Sequence, residues 1–241
     1  MSGHSKWNNI KHKKEKSDAA KAKIFTKIGK EMAVAIKAGG PDPNNNSKLR
    51  DLIAKAKANN VPNDNIQRTI KKFTDNSDIN FEEIVYEGYG PSGVAIIVET
   101  STDNRNRTAG NVRAAFSKYG GNMGQNGCVS YLFEEKGVIT IIDEDEELEE
   151  DKLMEDALES GAEDILSDDG EYTVYTAPAD LDAVRDAIIA LGYKIETADL
   201  AKVPSNYVTL DNPEDIENME KMLDKFNEDD DVNAVYHNWD N

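Results

Sequence analysis

The order of strand-like and helix-like segments between residues 138 and 200 limits the possible folds of this chain more than any other feature. Predicted strands lie at Val138–Ile142, Ala162–Leu166, Tyr172–Thr176 and Lys194–Leu200, and predicted helices lie at Leu148–Ser160 and Leu181–Leu191. The order is therefore β-α-β-β-α-β, which is that of a ferredoxin-like unit. We expect one complete unit of this kind here.

The segments on either side of that unit read as two halves of another one. The first half comprises a strand at Val94–Val98, a helix at Thr108–Tyr119 and a strand at Cys128–Phe133, and the second a strand at Tyr207–Leu210, a helix at Pro213–Phe226 and a strand at Val232–Tyr236. A weaker strand pattern covers Phe81–Glu87. Half a unit alone would leave sheet edges and faces unburied, so we expect one split domain with the other inserted into it. The alternative is three consecutive domains without a split.

The first 78 residues read as helical. Ser17 and Asp18 can cap a helix that ends at Ala38, before a Gly-Gly-Pro stop, and two shorter helices are predicted at Ser47–Asn59 and Asp64–Phe73. The predicted fold class is α+β: an N-terminal three-helix bundle plus two ferredoxin-like α/β domains, the second inserted into the first. The predicted domains are residues 1–78 (basic, helical), residues 79–135 with 204–241 (split), and residues 136–203 (inserted, acidic).

Charge is distributed very unevenly along the chain. The whole chain carries 28 Lys and Arg against 47 Asp and Glu, a formal net charge of −19. Residues 1–72 carry 17 basic and 6 acidic residues, a net charge of +11, which leaves 11 basic and 41 acidic residues, a net charge of −30, in the rest. This asymmetry is typical of a chain in which one module holds a polyanion. Alternatively, the basic segment docks on the protein's own acidic body, and both interpretations can hold together.

The N-terminal tail, residues 1–16, combines dense positive charge with an aromatic ring. Lysines neutralise phosphates largely independently of sequence, and a tryptophan can stack on an unpaired base. In the helix that follows, lysines cluster opposite the apolar face. The predicted nucleic-acid-binding residues are Lys6, Trp7, Lys11, His12, Lys13, Lys14, Lys16, Lys23, Lys27 and Lys30, together with Arg105 and Arg107. The alternative for the tail is a purely solubilising role.

Two helices carry further basic residues of interest. Arg105, Arg107 and Arg113 could form a small anion site near the start of their helix, which Asp103 or Asn104 can cap; the alternative is ordinary capping and salt bridges. The third helix of the bundle offers Gln67, Arg68, Lys71 and Lys72. A helix-turn-helix is conceivable there, but these four side chains are little evidence for reading of a base sequence.

Catalysis and metal binding find little support in the sequence. The chain has three histidines, none in a metal or catalytic motif, and lacks a P-loop and a Gly-x-Ser-x-Gly segment. The acidic run from Asp143 to Asp156 lacks the spacing of a calcium loop, and Cys128 is predicted to pack in a strand. We therefore expect no cofactor, no metal and no obligate small-molecule ligand. The single cysteine and the absence of long apolar runs predict a cytoplasmic protein with no membrane partner.

Two stretches of the sequence resemble the YebC family. One is Ser2-Gly3-His4-Ser5-Lys6-Trp7 with Asn9-Ile10-Lys11, and the other runs from Tyr86-Glu87-Gly88-Tyr89-Gly90-Pro91 through Asn104–Thr108 to Gly120-Gly121-Asn122. The likeness extends over essentially the whole chain. It implies three domains, α/β domains that enclose a cavity or cleft, and no known catalytic activity.

The resemblance and the charge together predict a non-enzymatic regulator of gene expression. The favoured form is a DNA-binding transcriptional regulatory protein. The alternative is a translation factor that binds ribosomal or transfer RNA on the ribosome and relieves stalling, for example at proline runs. Lysine cannot distinguish the phosphates of DNA from those of RNA, so the residues leave the choice open. A protein-interaction adaptor with an acidic working surface, and an enzyme that binds its ligand near Arg105, Arg107 and Arg113, are further alternatives.

Overall fold

The computed structural model describes residues 18–75, 80–143, 148–168 and 170–240, with side chains from residue 22 onward. The predicted tail contacts and the Ser17 cap lie outside the described residues. The described chain forms two compact units. One contains the residues up to Ser130 together with Leu210–His237, and the other contains Tyr131–Thr209 and the C-terminal residues from Asn238.

The first unit begins with the three predicted helices, α1 (Asp18–Gly39), α2 (Ser47–Ala58) and α3 (Asn63–Asp75). Their apolar stripes meet in a core made by Ile28, Met32, Ala35, Ile36, Leu49, Leu52, Ala56 and Ile66. Asn46 fixes the turn between α1 and α2 because its side chain accepts the Leu49 N–H (3.1 Å) and donates to the Ala35 carbonyl (2.8 Å). The predicted helix bounds are confirmed to within two residues.

The same unit continues as an antiparallel sheet with two helices. Its elements are β1 (Glu82–Tyr89), β2 (Ala95–Thr102), α4 (Arg105–Lys118), β3 (Asn122–Met123), α7 (Pro213–Glu228) and β9 (Val232–His237). The strand order is β3-β1-β2-β9. The chain leaves this sheet after β3 and returns to it only with β9, whose pairing with β2 closes the split unit as predicted. Phe116 of α4 and Phe226 of α7 pack with their ring centres 5.2 Å apart.

The assignment of the third strand of this sheet was wrong. In a ferredoxin-like sheet one strand lies in space between β2 and β3. The sequence predicts residues 207–210 as that strand. The structure places β1 there, because it forms a hairpin with β2 over eight residue pairs. Only Val208–Thr209 (β8) is extended in the predicted segment, and it pairs with β10 (Trp239–Asp240) in a separate two-stranded sheet.

The strand predicted at Cys128–Phe133 is also wrong. Residues before Phe133 form turns and a short 3-10 helix, Ser130–Leu132. The carboxylate of Glu87 accepts the backbone N–H groups of Gly127 (2.7 Å), Val129 (2.9 Å) and Ser130 (2.8 Å). Those donors are therefore occupied by a side chain and cannot join a strand ladder.

The second unit contains the complete β-α-β-β-α-β series. Its elements are β4 (Phe133–Ile142), α5 (Glu150–Glu159), β5 (Asp164–Asp168), β6 (Glu171–Thr176), α6 (Leu181–Ala190) and β7 (Ile195–Pro204). The order β5-β6-β4-β7, antiparallel throughout, confirms the ferredoxin-like prediction. Both helices pack on one face around Ile139, Leu153, Val174 and Ile188. None of the helices in the described parts of the chain is long and apolar enough to cross a membrane.

Candidate nucleic-acid interface

Three of the predicted nucleic-acid-binding lysines contact the protein itself. The ammonium groups of Lys23, Lys27 and Lys30 donate to the carbonyl oxygens of Glu228 (3.4 Å), Asn227 (3.3 Å) and Asp230 (2.8 Å). The carbonyls of Asn227 and Glu228 belong to the last turn of α7, where helix carbonyls lack intrahelical donors and the helix dipole is negative, and that of Asp230 lies just after the helix. The basic face of α1 thus docks on an acidic segment of the same chain, as one of the two compatible interpretations predicted.

Lys27 is the most perturbed of these three cations. Burial, followed by the neighbouring positive charge of Lys23, lowers the pKa of Lys27 to about 8. Asp230 and Asp229 act in the opposite direction and keep it from falling further. The charge of Lys27 is therefore maintained near neutral pH by the acidic segment that it faces.

Asp231 is the centre of this contact. It is 3% exposed and accepts hydrogen bonds from Lys30 Nζ (2.7 Å), Arg107 Nη2 (2.6 Å) and Thr108 Oγ1 (2.8 Å). Burial alone would raise the pKa of Asp231, but these donors outweigh it and lower the pKa to about 2. A single ionised carboxylate thus joins α1, α4 and the loop before β9.

The predicted arginine site at the start of α4 is not assembled as one cluster. Asn104 caps the helix by accepting the Arg107 N–H (3.1 Å), as expected. Arg107 then turns to Asp103 (2.8 Å) and Asp231, whereas Arg105 lies 3.9 Å from Glu82 and is 67% exposed. Residues two positions apart on a helix point about 200° apart, so Arg105 and Arg107 diverge.

Helices α2 and α3 carry exposed cations that form no ion pair in the described chain. Lys57, Arg68, Lys71 and Lys72 are exposed, and within the described part of the chain none of them has a carboxylate in salt-bridge range. Arg68, Lys71 and Lys72 share one face of α3, opposite the stripe that contains Ile66. The sequence showed these residues, but their freedom from ion pairs could be seen only in the structure.

Two further reactive groups of the first unit, Cys128 and His237, have shifted pKa values. Among the described residues, no three His, Cys, Asp or Glu side chains come together in a way that could hold a metal ion. Burial, reinforced by the charge of Glu87, raises the pKa of the Cys128 thiol. Burial lowers the pKa of His237 to about 4, so this imidazole is neutral at physiological pH. The bonding roles of Asp231 and Glu87, which organise the unit, were not predicted from the sequence because their partners are distant in the chain.

Known proteins resemble this chain along its full length. Residues 5–76 match the model of the TACO1/YebC N-terminal domain, and residues 81–239 match the model of the TACO1/YebC second and third domain. A relative in Agathobacter rectalis is 57% identical over 100% of both chains, and one in Acetivibrio thermocellus is 55% identical over 99% of both. Each is named a probable transcriptional regulatory protein.

A solved structure shows the same architecture. The crystal structure of a conserved hypothetical protein from Aquifex aeolicus superposes with a TM-score of 0.82 and 43% identity, covering 92% of this chain and 91% of the other. Together, the two matching family models and the full-length relatives show that the chain belongs to the TACO1/YebC family.

Proposed function

We propose that this protein is a non-enzymatic regulator of gene expression that binds DNA through its basic N-terminal part, with no cofactor and no obligate small-molecule ligand. The carrying observation is the charge distribution, a net +11 over residues 1–72 of a chain whose net charge is −19. Such a segment attracts the phosphate backbone while the acidic remainder on average repels it, which favours binding at the basic part of the molecule. The names of the relatives, probable transcriptional regulatory proteins, support transcription as the process.

Lys23, Lys27 and Lys30 dock at the end of α7, so in the folded protein other cations are more available to bind DNA. We assign the principal contact to the tail lysines and to the exposed triad Arg68, Lys71 and Lys72 on α3. Basic side chains without carboxylate partners release counterions when they bind phosphates, whereas paired ones must first break an ion pair. Lys30, whose side chain is 14% exposed against Asp231, is of the second kind.

The test compares two triple variants of the full chain. Arg68→Gln, Lys71→Gln and Lys72→Gln remove three charges from α3, and Lys152→Gln, Lys194→Gln and Lys221→Gln remove three exposed charges elsewhere. Affinity for a fluorescent 30-base-pair duplex is measured by anisotropy at several salt concentrations. The α3 variant should bind about tenfold more weakly at ~100 mM salt. The plot of log K against log salt should become shallower, its slope falling in magnitude by roughly 2–3. The control should remain close to the parent protein.

Two further measurements distinguish a DNA-binding protein from an RNA-binding one. The same titration with single-stranded RNA of equal length, and sedimentation of the protein with ribosomal particles, report on the translation alternative. Binding to RNA or ribosomes without binding to duplex DNA would replace the transcriptional proposal. Equal loss of affinity in the two triple variants would remove α3 from the interface.

A further inference from the structure

A groove in the first unit brings together basic side chains that the N-terminal contact does not use. It lies between α4 and α7 beside α1, has a volume of about 550 Å³ and is open along one side. Its lining includes the buried apolar side chains of Val112 and Phe226 and the ring of Tyr119. Four cations line it: Lys30, Arg107, Lys118 and Lys225.

The four cations are in two different states. Lys30 and Arg107 are held by Asp231, as described above. Lys118 and Lys225 are exposed, and neither has a carboxylate in salt-bridge range among the residues that the structure describes. The Lys118 ammonium lies 5.1 Å from the centre of the Tyr119 ring. The groove therefore offers two ammonium groups that form no ion pair within the described chain, one of which lies over an aromatic ring.

Three aspartates share the groove with these cations. Asp229 is held in place, because its carboxylate accepts from Asn111 Nδ2 (3.0 Å) and from the Asp231 N–H (2.9 Å). Asp230 is exposed beside it. Four positive and three negative side chains leave a net charge of only +1 on the lining. Of the three aspartates, only Asp231 forms ion pairs with cations of the lining in the described chain, whereas Asp229 and Asp230 add negative charge near the two exposed lysines without pairing with either.

We propose that this groove is a second contact site for a nucleic-acid phosphate backbone, and that the negative charges of Asp229 and Asp230 on its lining hold its affinity down. The inference rests on the proposed function and adds a site and its regulation. An open groove with two unpaired ammonium groups and a tyrosine in its lining fits a linear polyanion better than an enclosed small molecule. Asp231 belongs to the folded core, so Asp229 and Asp230 are the aspartates of the lining whose charge can be removed without breaking the ion pairs of Lys30 and Arg107.

The experiment removes the negative charges of Asp229 and Asp230 in the full chain. Asp229→Asn with Asp230→Asn is compared with Glu214→Gln with Glu220→Gln, which makes the same charge change at exposed positions of α7 outside the groove. Asparagine at 229 keeps an acceptor for the Asp231 N–H, and the Asn111 amide can turn to suit it. Circular dichroism and thermal unfolding verify that both variants fold. The probes are a 30-base-pair duplex and an oligothymidylate of equal length.

The aspartate variant should bind about three- to tenfold more tightly than the glutamate variant, because removal of two nearby charges acts mainly at short range. Its slope of log K against log salt should steepen by roughly 1–2, because Lys118 and Lys225 then contact phosphates of the bound nucleic acid. Adding Lys118→Gln and Lys225→Gln should abolish this gain. Equal affinities and slopes in the two variants would overturn the inference. Failure of the parent protein to bind any nucleic acid would instead overturn the proposed function.

Discussion

Replacement of Asp231 by asparagine should loosen the contact between α1 and the sheet by a predictable amount. The carboxylate is buried and its pKa is lowered from 3.8 to about 2. That difference corresponds to roughly 2 kcal/mol of stability in the folded state, at about 1.4 kcal/mol per tenfold change. Loss of a buried partner costs up to about 5 kcal/mol, but Arg107 is 46% exposed and can hydrate, which favours the lower figure.

The sign of the pH dependence follows from the lowered pKa. The stabilisation by Asp231 is complete above the unfolded-state pKa and disappears as the pH falls through the folded-state value near 2. The difference between the parent protein and the asparagine variant should therefore be about 2 kcal/mol at pH 7 and roughly half of that at pH 3. Other carboxylates titrate in both proteins and cancel from the comparison.

Hydrogen–deuterium exchange measured by mass spectrometry gives this quantity locally. Amides of α1, β2 and β9 should exchange roughly 30-fold faster in the variant at pH 7, as 2 kcal/mol requires. Asp211→Asn, an exposed change in the same unit, is the control and should leave these rates unaltered. Equal exchange in the two variants, or a difference that does not shrink at pH 3, would refute the role of the ionised carboxylate.

Three further results are expected. Gly88→Ala should lower the thermal midpoint by the equivalent of about 1–3 kcal/mol, since a Cβ there would stand 2.5 Å from the Asn122 carbonyl oxygen; an unchanged midpoint would contradict this packing. Glu87→Gln should speed amide exchange in residues 124–130 by the equivalent of about 1–3 kcal/mol, because glutamine cannot accept all three backbone N–H groups. Iodoacetamide should alkylate Cys128 at pH 8 more slowly than it does a free thiol, and faster in the Glu87→Gln variant, since the Glu87 charge helps to raise the thiol pKa.

Much of the architecture follows from local patterns in the sequence. Helices end where their periodic apolar residues end, and α1 to α3 begin or stop at capping residues or glycines that the chain shows directly. The β4–β7 series is contiguous, so its ferredoxin-like order could be read without knowledge of distant contacts. The pairing of β9 with β2 followed from the need to cover an open sheet edge.

The errors arose where a distant or competing contact decides the outcome. Residues 207–210 have a strand pattern, but the local β1–β2 hairpin occupies the place assigned to them. Residues 128–133 also have a strand pattern, but the Glu87 side chain, about 40 positions away, accepts the N–H groups of Val129 and Ser130. The lysines of α1 have the pattern of a free basic face, and the chain gives no local sign that Asp231 lies against Lys30.

A cross-linking experiment tests the central claim most directly. The full chain is bound to a photoreactive 30-base-pair duplex, cross-linked and digested, and the attached peptides are identified by mass spectrometry. The account predicts cross-links in residues 1–72, with the strongest at the tail and at α3, and a second, weaker set at the α4–α7 groove. Cross-links confined to residues 131–209 would contradict it, because the acidic remainder of the chain would then carry the nucleic acid.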